Sequence, residues 1–146
     1  MKIKFIFLGK KKTDSYHQLM QLYLNRLNNY MKSDFVFVSE SNKSKLEKKI
    51  LHLIPSNSCL IALDESGLLY STLQYKVFLQ EKMINFPLLT FIVGDAYGIP
   101  KYIMQKSHFV ISLSKMTLPH AIARVVLLEQ TYRVFTLVHN HPYHHE

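Results

Sequence analysis

The sequence predicts an α/β fold with a mostly parallel sheet flanked by helices. Short apolar runs of strand length alternate along the chain with longer segments whose apolar residues recur every three or four positions. Two runs, Cys59–Leu63 and Leu88–Val93, are almost continuously apolar, as in parallel strands that are covered on both faces. The chain has 146 residues without a linker, repeat or low-complexity segment, so we expect one domain over residues 1–146.

The remaining predicted strands are shorter or more mixed in composition. The first is Lys2–Leu8, and the second is Asp34–Val38, in which Phe35 and Phe37 share one face. The last predicted strand is Phe109–Leu113. Together with the two apolar runs, these segments make five strands.

The predicted helices lie between the strands. Lys43–Leu53 has apolar residues on one side and lysines on the other, and Ser71–Gln74 forms a capping box that opens the next helix, with Leu73 and Val77 facing inward. The last helix should begin near Pro119 and run to about Phe135. The first helix carries one apolar face, which consists of Tyr16, Leu19, Met20, Tyr23, Leu27, Tyr30 and Met31.

The last helix is unusual because Ala121–Leu128 is apolar nearly all the way round, with Arg124 as the exception. Such a helix needs cover on two sides. A second subunit would supply that cover, so we expect a homodimer through this helix. Enclosure of the helix within its own domain is the alternative.

Composition narrows the class of protein. With 48% hydrophobic and 19% charged residues, the chain can build a core. No apolar stretch approaches the roughly 20 residues that span a bilayer, and Lys10–Lys12 stand where a signal peptide would have small residues. The single cysteine, Cys59, excludes an internal disulfide framework and a multi-cysteine zinc site. We therefore expect a cytoplasmic protein with no membrane partner and no metal.

The net charge of +8 is large for this length. Positive charge raises association with polyanions, although many basic proteins bind no nucleic acid. Charge alone therefore leaves RNA or DNA binding open.

Two loops follow predicted strands, where open α/β sheets bind ligands. Gly94–Gly98 follows one strand, and its glycines permit close approach of backbone to a ligand, but it matches neither a dinucleotide-binding motif nor a P-loop. Ser112–Pro119 is rich in hydroxyl groups and leads into a helix N-terminus. The residues alone slightly favour the simpler interpretation that Thr117 caps this helix.

The histidine-rich tail, His139–Glu146, has three interpretations. Its spacing matches no standard metal site, and it differs from a simple histidine tag. The third interpretation is an RNA-facing tail, with His and Tyr stacking on bases, and it is favoured chiefly by the family resemblance that the C-terminal residues carry.

The C-terminal third resembles a known family. The order and spacing of its residues are similar to those of the ribosomal RNA large subunit methyltransferase H family, in the SPOUT superfamily, and the similarity extends over the whole chain. The segments that carry it are Leu113–His120 (LSKMTLPH), Ala123–Val125, Leu128–Gln130, Tyr132–Arg133 and Pro142–His144, with weaker matches at Met1–Lys4, Gly9–Lys10, Leu63–Asp64 and Gly67.

The resemblance implies a SPOUT fold with a C-terminal trefoil knot, a homodimer, and transfer of a methyl group from S-adenosylmethionine to N3 of a pseudouridine in 23S rRNA of the assembled ribosome. This chain departs from the family pattern at Asp95, Tyr97 and His145, where the family usually has a glycine, a small or acidic residue, and a basic residue. Carried over by position, the cofactor-binding residues are Leu63, Gly94, Leu113, Ser114, Lys115, Met116, Thr117 and Leu118.

Methyl transfer to N3 also requires loss of the N3 proton, so a general base or a group that stabilises negative charge is useful. The candidate catalytic residues are His144 and Tyr143 in the tail, with His141 beside them, and Arg124 and Arg133 in the last helix. For Arg133 an i,i+4 salt bridge with Glu129 is an equal alternative. The rival functions are a non-catalytic RNA-binding protein on the same fold and a metal-binding tail with an unrelated core function.

Overall fold

A computed structural model describes residues 1–145, in which strands and helices alternate strictly along the chain. The strands are β1 (Lys2–Leu8), β2 (Ser33–Val38), β3 (Ser58–Leu69), β4 (Leu88–Val93) and β5 (Phe109–Ser112). The helices are α1 (Ser15–Leu27), α2 (Lys43–Leu53), α3 (Thr72–Asn85), α4 (Lys101–Lys106) and α5 (His120–Val138).

The five strands form one parallel sheet in the order β2-β1-β4-β3-β5. β4 therefore lies at the centre, with Phe91 paired to Phe5 of β1 and to Ile61 of β3. All five carboxyl ends meet at one edge of the sheet. The predicted fold class is confirmed.

Helices cover both faces of the sheet. On one face, α1, α3 and α5 pack over Phe5 and Phe91, whose rings stack with centroids 5.3 Å apart. On the other face, Ile50 of α2 and Ile103 of α4 pack over Ile6 and neighbouring aliphatic residues. This two-sided burial explains why the central strands are continuously apolar. Within residues 1–145, no helix has the length and hydropathy to cross a bilayer.

The prediction for the inward face of α3 was wrong. Leu73 and Val77 are 46% and 53% exposed, and the buried residues are Tyr75, Phe78 and Leu79. Both sets have helical spacing, so periodicity alone offers two faces. The larger rings face inward because they meet aromatic partners of the sheet: Tyr75 lies edge-on to Phe91, and Phe78 to Phe109.

Several boundaries also differ from the predicted ones. α1 ends at Leu27, so Tyr30 and Met31 follow the helix, and α5 continues to Val138. β3 does not end at Leu63, because its pairing with β5 resumes at Leu68 after a bulge. Gly67 permits this pairing: a Cβ there would lie 2.6 Å from the carbonyl carbon of Ile111.

The last helix is covered largely by its own domain. α5 packs against both α1 and α3, and Leu127 and Leu128 are fully buried. Its first turns are less covered, since Ile122 is 36% exposed and Val125 and Val126 are half-buried. Packing against α1 and α3 therefore explains why the middle and end of α5 are apolar. A homodimer through the start of α5 stays a prediction.

Candidate cofactor site

A cleft of about 380 Å³ lies at the carboxyl ends of β3, β4 and β5. Three segments form its walls: Leu63–Glu65 in the bulge of β3, the loop after β4, and the loop from β5 into α5. The two loops singled out in the sequence thus face each other across one site.

The loop after β4 is a tight turn that presents backbone to the cleft. The Gly98 N–H donates to the Asp95 carbonyl over 2.9 Å, and the Tyr97 N–H donates to Asp95 Oδ1 over 2.9 Å. Gly98 has a φ of +79°, which favours glycine. A Cβ at Gly94 would lie 2.6 Å from the Gly98 carbonyl carbon, so the turn can close only on a glycine.

The loop from β5 into α5 is ordered by its own hydroxyl groups. Ser112 Oγ donates to the Ser114 carbonyl over 2.8 Å, and Ser114 Oγ accepts from the Met116 N–H over 2.9 Å. Thr117 Oγ1 donates to Glu65 Oε2 over 3.0 Å, which ties this wall to the bulge of β3.

Thr117 does not cap α5, so that interpretation was wrong. Pro119 occupies the N-cap position, and no side chain there accepts a hydrogen bond from the helix. Thr117 lies too early in the chain to cap and is bonded to Glu65 instead. The first N–H groups of α5 therefore have no side-chain acceptor, and the start of α5, with Pro119 and His120, lines the cleft.

The cleft gathers seven of the eight predicted cofactor-binding residues. Lys115 is the exception, since it is exposed and is not part of the lining. The seven lining residues are Leu63, Gly94, Leu113, Ser114, Met116, Thr117 and Leu118. The acidic residues Asp64 and Glu65 also line the cleft and were not predicted, whereas Asp95 lines it from the predicted loop Gly94–Gly98. The position of Asp64 just after a buried strand was the available signal.

Arg124 lies outside the cleft. It is 5% exposed, its guanidinium donates to the Leu8 carbonyl at the end of β1, and its Cζ lies 5.6 Å and 5.1 Å from the ring centroids of Phe7 and Phe37. Burial lowers the pKa of Arg124, and Asp95 raises it in partial compensation. These contacts favour a role in holding the end of β1 near the loop after β4.

The other candidate catalytic residues form a cluster at the far end of α5. Arg133 Nε donates to Glu129 Oε1 over 2.9 Å, and Tyr143 OH donates to the same oxygen over 3.0 Å. Arg133 Nη1 lies 3.2 Å from His144 Nδ1. The i,i+4 salt bridge that was the alternative for Arg133 is thus present. We call Glu129, Arg133, Tyr143 and His144 the tail cluster.

The tail cluster does not meet the cleft of its own chain. Ala123 lines the cleft, and Arg133 follows ten residues later in the same helix, a separation of about 15 Å along the axis. Burial and hydrogen bonding, with Glu129 among the partners, raise the pKa of Tyr143, so its phenol stays protonated at neutral pH.

In the histidine-rich tail, His139 packs on Tyr30 with ring centroids 4.8 Å apart. Residues 1–145 contain no group of three metal-ligating side chains.

The fold is shared with two solved structures described as a probable methyltransferase and a probable methylase family protein. A probable methyltransferase from Bordetella pertussis superposes with a TM-score of 0.61 at 8% identity, covering 91% of this chain and 93% of that one. A probable methylase family protein from Haemophilus influenzae gives a TM-score of 0.56 at 10% identity, covering 99% and 70%. At such identities the likeness shows the fold alone.

The sequence comparisons define the class as SPOUT methyltransferases, since the family profile described as "Predicted SPOUT methyltransferase" matches residues 1–144. Relatives from Parabacteroides distasonis (33% identical, covering 100% of both chains) and Flavobacterium johnsoniae (36%, 100% of both) are named ribosomal RNA large subunit methyltransferase H. A relative from Syntrophotalea carbinolica with the same name is 36% identical over 99% of both chains. The chain belongs to the ribosomal RNA large subunit methyltransferase H family.

Proposed function

We propose that the protein transfers a methyl group from S-adenosylmethionine to N3 of a pseudouridine in 23S rRNA of the assembled ribosome. The observation that carries this proposal is the cleft, which gathers seven of the eight residues expected to hold the cofactor. The full-length relatives named for methylation of large-subunit ribosomal RNA support RNA as the substrate.

The residues of the cleft fit S-adenosylmethionine. Apolar side chains such as Ile99 and Leu118 suit the adenine ring, and the tight turn that Gly94 permits presents backbone to the ligand. The uncapped start of α5 suits the carboxylate of the methionine part, and Asp64 and Asp95 place negative charge near a cationic ligand. When bound, this cofactor supplies a methyl group that its sulfonium already activates.

The protein must then orient the target base and help remove the N3 proton. Arg133 is a cation that can stabilise negative charge on the base, and His144 carries an imidazole, the side chain most often used as a general base. Tyr143 donates its one hydroxyl hydrogen to Glu129, so its oxygen can accept a hydrogen bond from the base. Glu129 holds Arg133 and Tyr143 together through one carboxylate oxygen.

We also propose that the protein is a homodimer in which the tail cluster of one subunit completes the cleft of the other. The separation of about 15 Å between Ala123 and Arg133 along α5 supports this arrangement, because no residue of the cluster lines the cleft of its own chain. The partly exposed residues Ile122, Val125 and Val126 at the start of α5 provide an apolar surface beside the cleft.

Three further proposals concern the domain, the location and the knot, and they are supported by the family and by the path of the chain. We propose a single domain over residues 1–146, a cytoplasmic location, and the trefoil knot of the family. The path supports the knot: after β5 at the edge of the sheet, α5 returns to pack beside α1, and the loop between them contacts Glu65 in the bulge of β3.

Two measurements test the function. Titration with S-adenosylhomocysteine should show binding, and ribosomes that lack the methyl group should be methylated better than free 23S rRNA. Absence of cofactor binding would leave a non-catalytic ribosome-binding protein, and equal activity on free rRNA would refute the ribosome as substrate.

The role of the tail is tested with Y143F and H144A. Each should lower turnover with little change in affinity for S-adenosylhomocysteine. A matching loss of both quantities would mean that the tail closes the cofactor cleft. Mixing a tail variant with a cleft variant should recover part of the activity if the tail acts between subunits, and no recovery would contradict the shared site.

A further inference from the structure

The positive charge of this protein is concentrated in its first half. Residues 1–53 contain eleven Lys and Arg residues and four Asp and Glu residues, so they hold +7 of the net charge of +8. Three of these lysines lie on the connection that follows β1, and two lie in the first turn of the helix that follows β2. We call this set the basic rim: Lys10, Lys11 and Lys12 after β1, and Lys43 and Lys45 at the start of α2.

The basic rim lies on the same edge of the sheet as the cofactor cleft. Because all strands are parallel, the connections that follow β1 and β2 project from the carboxyl edge, as do the walls of the cleft. The Gly9 N–H donates to the Val38 carbonyl over 2.8 Å, which joins the ends of these two strands. A Cβ on Gly9 would lie 3.7 Å from Asp95 Cβ, so the rim begins beside the loop after β4.

The rim lysines are available to a partner. All five are exposed, and within residues 1–145 none of them takes part in an ion pair. By contrast, Lys49 pairs with Glu40 and Lys2 pairs with Asp34, each over 2.9 Å. Asp14, which ends the first connection, has Oδ1 occupied as the cap of α1.

We propose that the basic rim binds the phosphate backbone of the ribosomal RNA next to the target nucleotide. This proposal rests on the proposed function, and it adds the surface on which the substrate lies. Clustered unpaired lysines repel one another, and a polyanion relieves that repulsion. An RNA whose target base enters the cleft must pass over the same edge, and lysines hold phosphates without reading sequence.

Paired lysine variants test the rim. K11Q/K12Q and K43Q/K45Q should each raise KM for ribosomes lacking the mark by about tenfold near 0.1 M salt, and should lower the salt slope of ribosome binding by roughly 1.5. Both kcat and the affinity for S-adenosylhomocysteine should stay within about twofold of the original protein. K11R/K12R keeps the charge and should restore KM.

The matched control is K32Q/K106Q, which removes the same charge from exposed lysines at the opposite edge, before β2 and at the end of α4. It should leave KM nearly unchanged. An equal rise in KM for the control would show that net charge alone matters, and an unchanged salt slope in both rim variants would overturn the proposal. If the unaltered protein binds ribosomes but does not methylate them, the methyl-transfer function fails while the rim is still tested by binding.

Discussion

Substitution of Gly94 by alanine tests whether the turn after β4 is a wall of the cofactor site. The added Cβ would lie 2.6 Å from the Gly98 carbonyl carbon and 2.9 Å from both Gly98 Cα and the Ile99 nitrogen. Ordinary contacts of this kind begin at about 3.4 Å, so the turn must open by roughly 0.8 Å. A misplacement of about 1 Å in an active site can lower the reaction rate by about 100-fold, and we take this as the upper limit for the loss of cofactor affinity.

We therefore expect G94A to weaken the affinity for S-adenosylhomocysteine by about 10- to 100-fold in isothermal titration. Overpacking of the turn should also lower the free energy of unfolding by about 1–3 kcal/mol, measured by urea denaturation. G98A is the matched control, because a Cβ there meets nothing within 4 Å and only the φ of +79° is unfavourable. G98A should lose stability with a smaller loss of affinity. A folded G94A protein with unchanged affinity would refute the assignment of this wall.

Two further predictions concern other parts of the molecule. Burial raises the pKa of the Cys59 thiol to about 11, so roughly 0.1% of the thiol is ionised at pH 8. The native protein should therefore resist a thiol reagent at this pH and react only when it is denatured. Rapid labelling of the native protein would contradict the buried position of Cys59. E129Q keeps an oxygen that can accept from Arg133 and Tyr143 but removes its negative charge. It should lower the free energy of unfolding by about 1–2 kcal/mol and reduce methyl transfer while cofactor affinity is kept; unaltered methyl transfer would remove the tail cluster from the reaction.

The structure brings predicted site residues together where they are close in the chain. Ser112, Ser114 and Thr117 lie within one loop, so their presence at one wall followed from the position of that loop after a strand. The partner of Thr117 was not predictable, because Glu65 lies 52 residues earlier and comes close only through the bulge of β3. The capping interpretation failed because Pro119, two residues after Thr117, occupies the N-cap position of the helix.

The sequence by itself determined the order of the five strands and of every helix except α4, the capping box at Ser71, and the parallel character of the central sheet. These features depend on local periodicity, on single residues and on burial of apolar runs, and all three can be recognised from the amino-acid sequence. The tertiary structure alone decided that β4 lies between β1 and β3, that Tyr75 rather than Leu73 faces the core, and that Arg133 lies far from the cleft. Each of these depends on contacts between distant segments, and the pattern of one segment does not specify its partner.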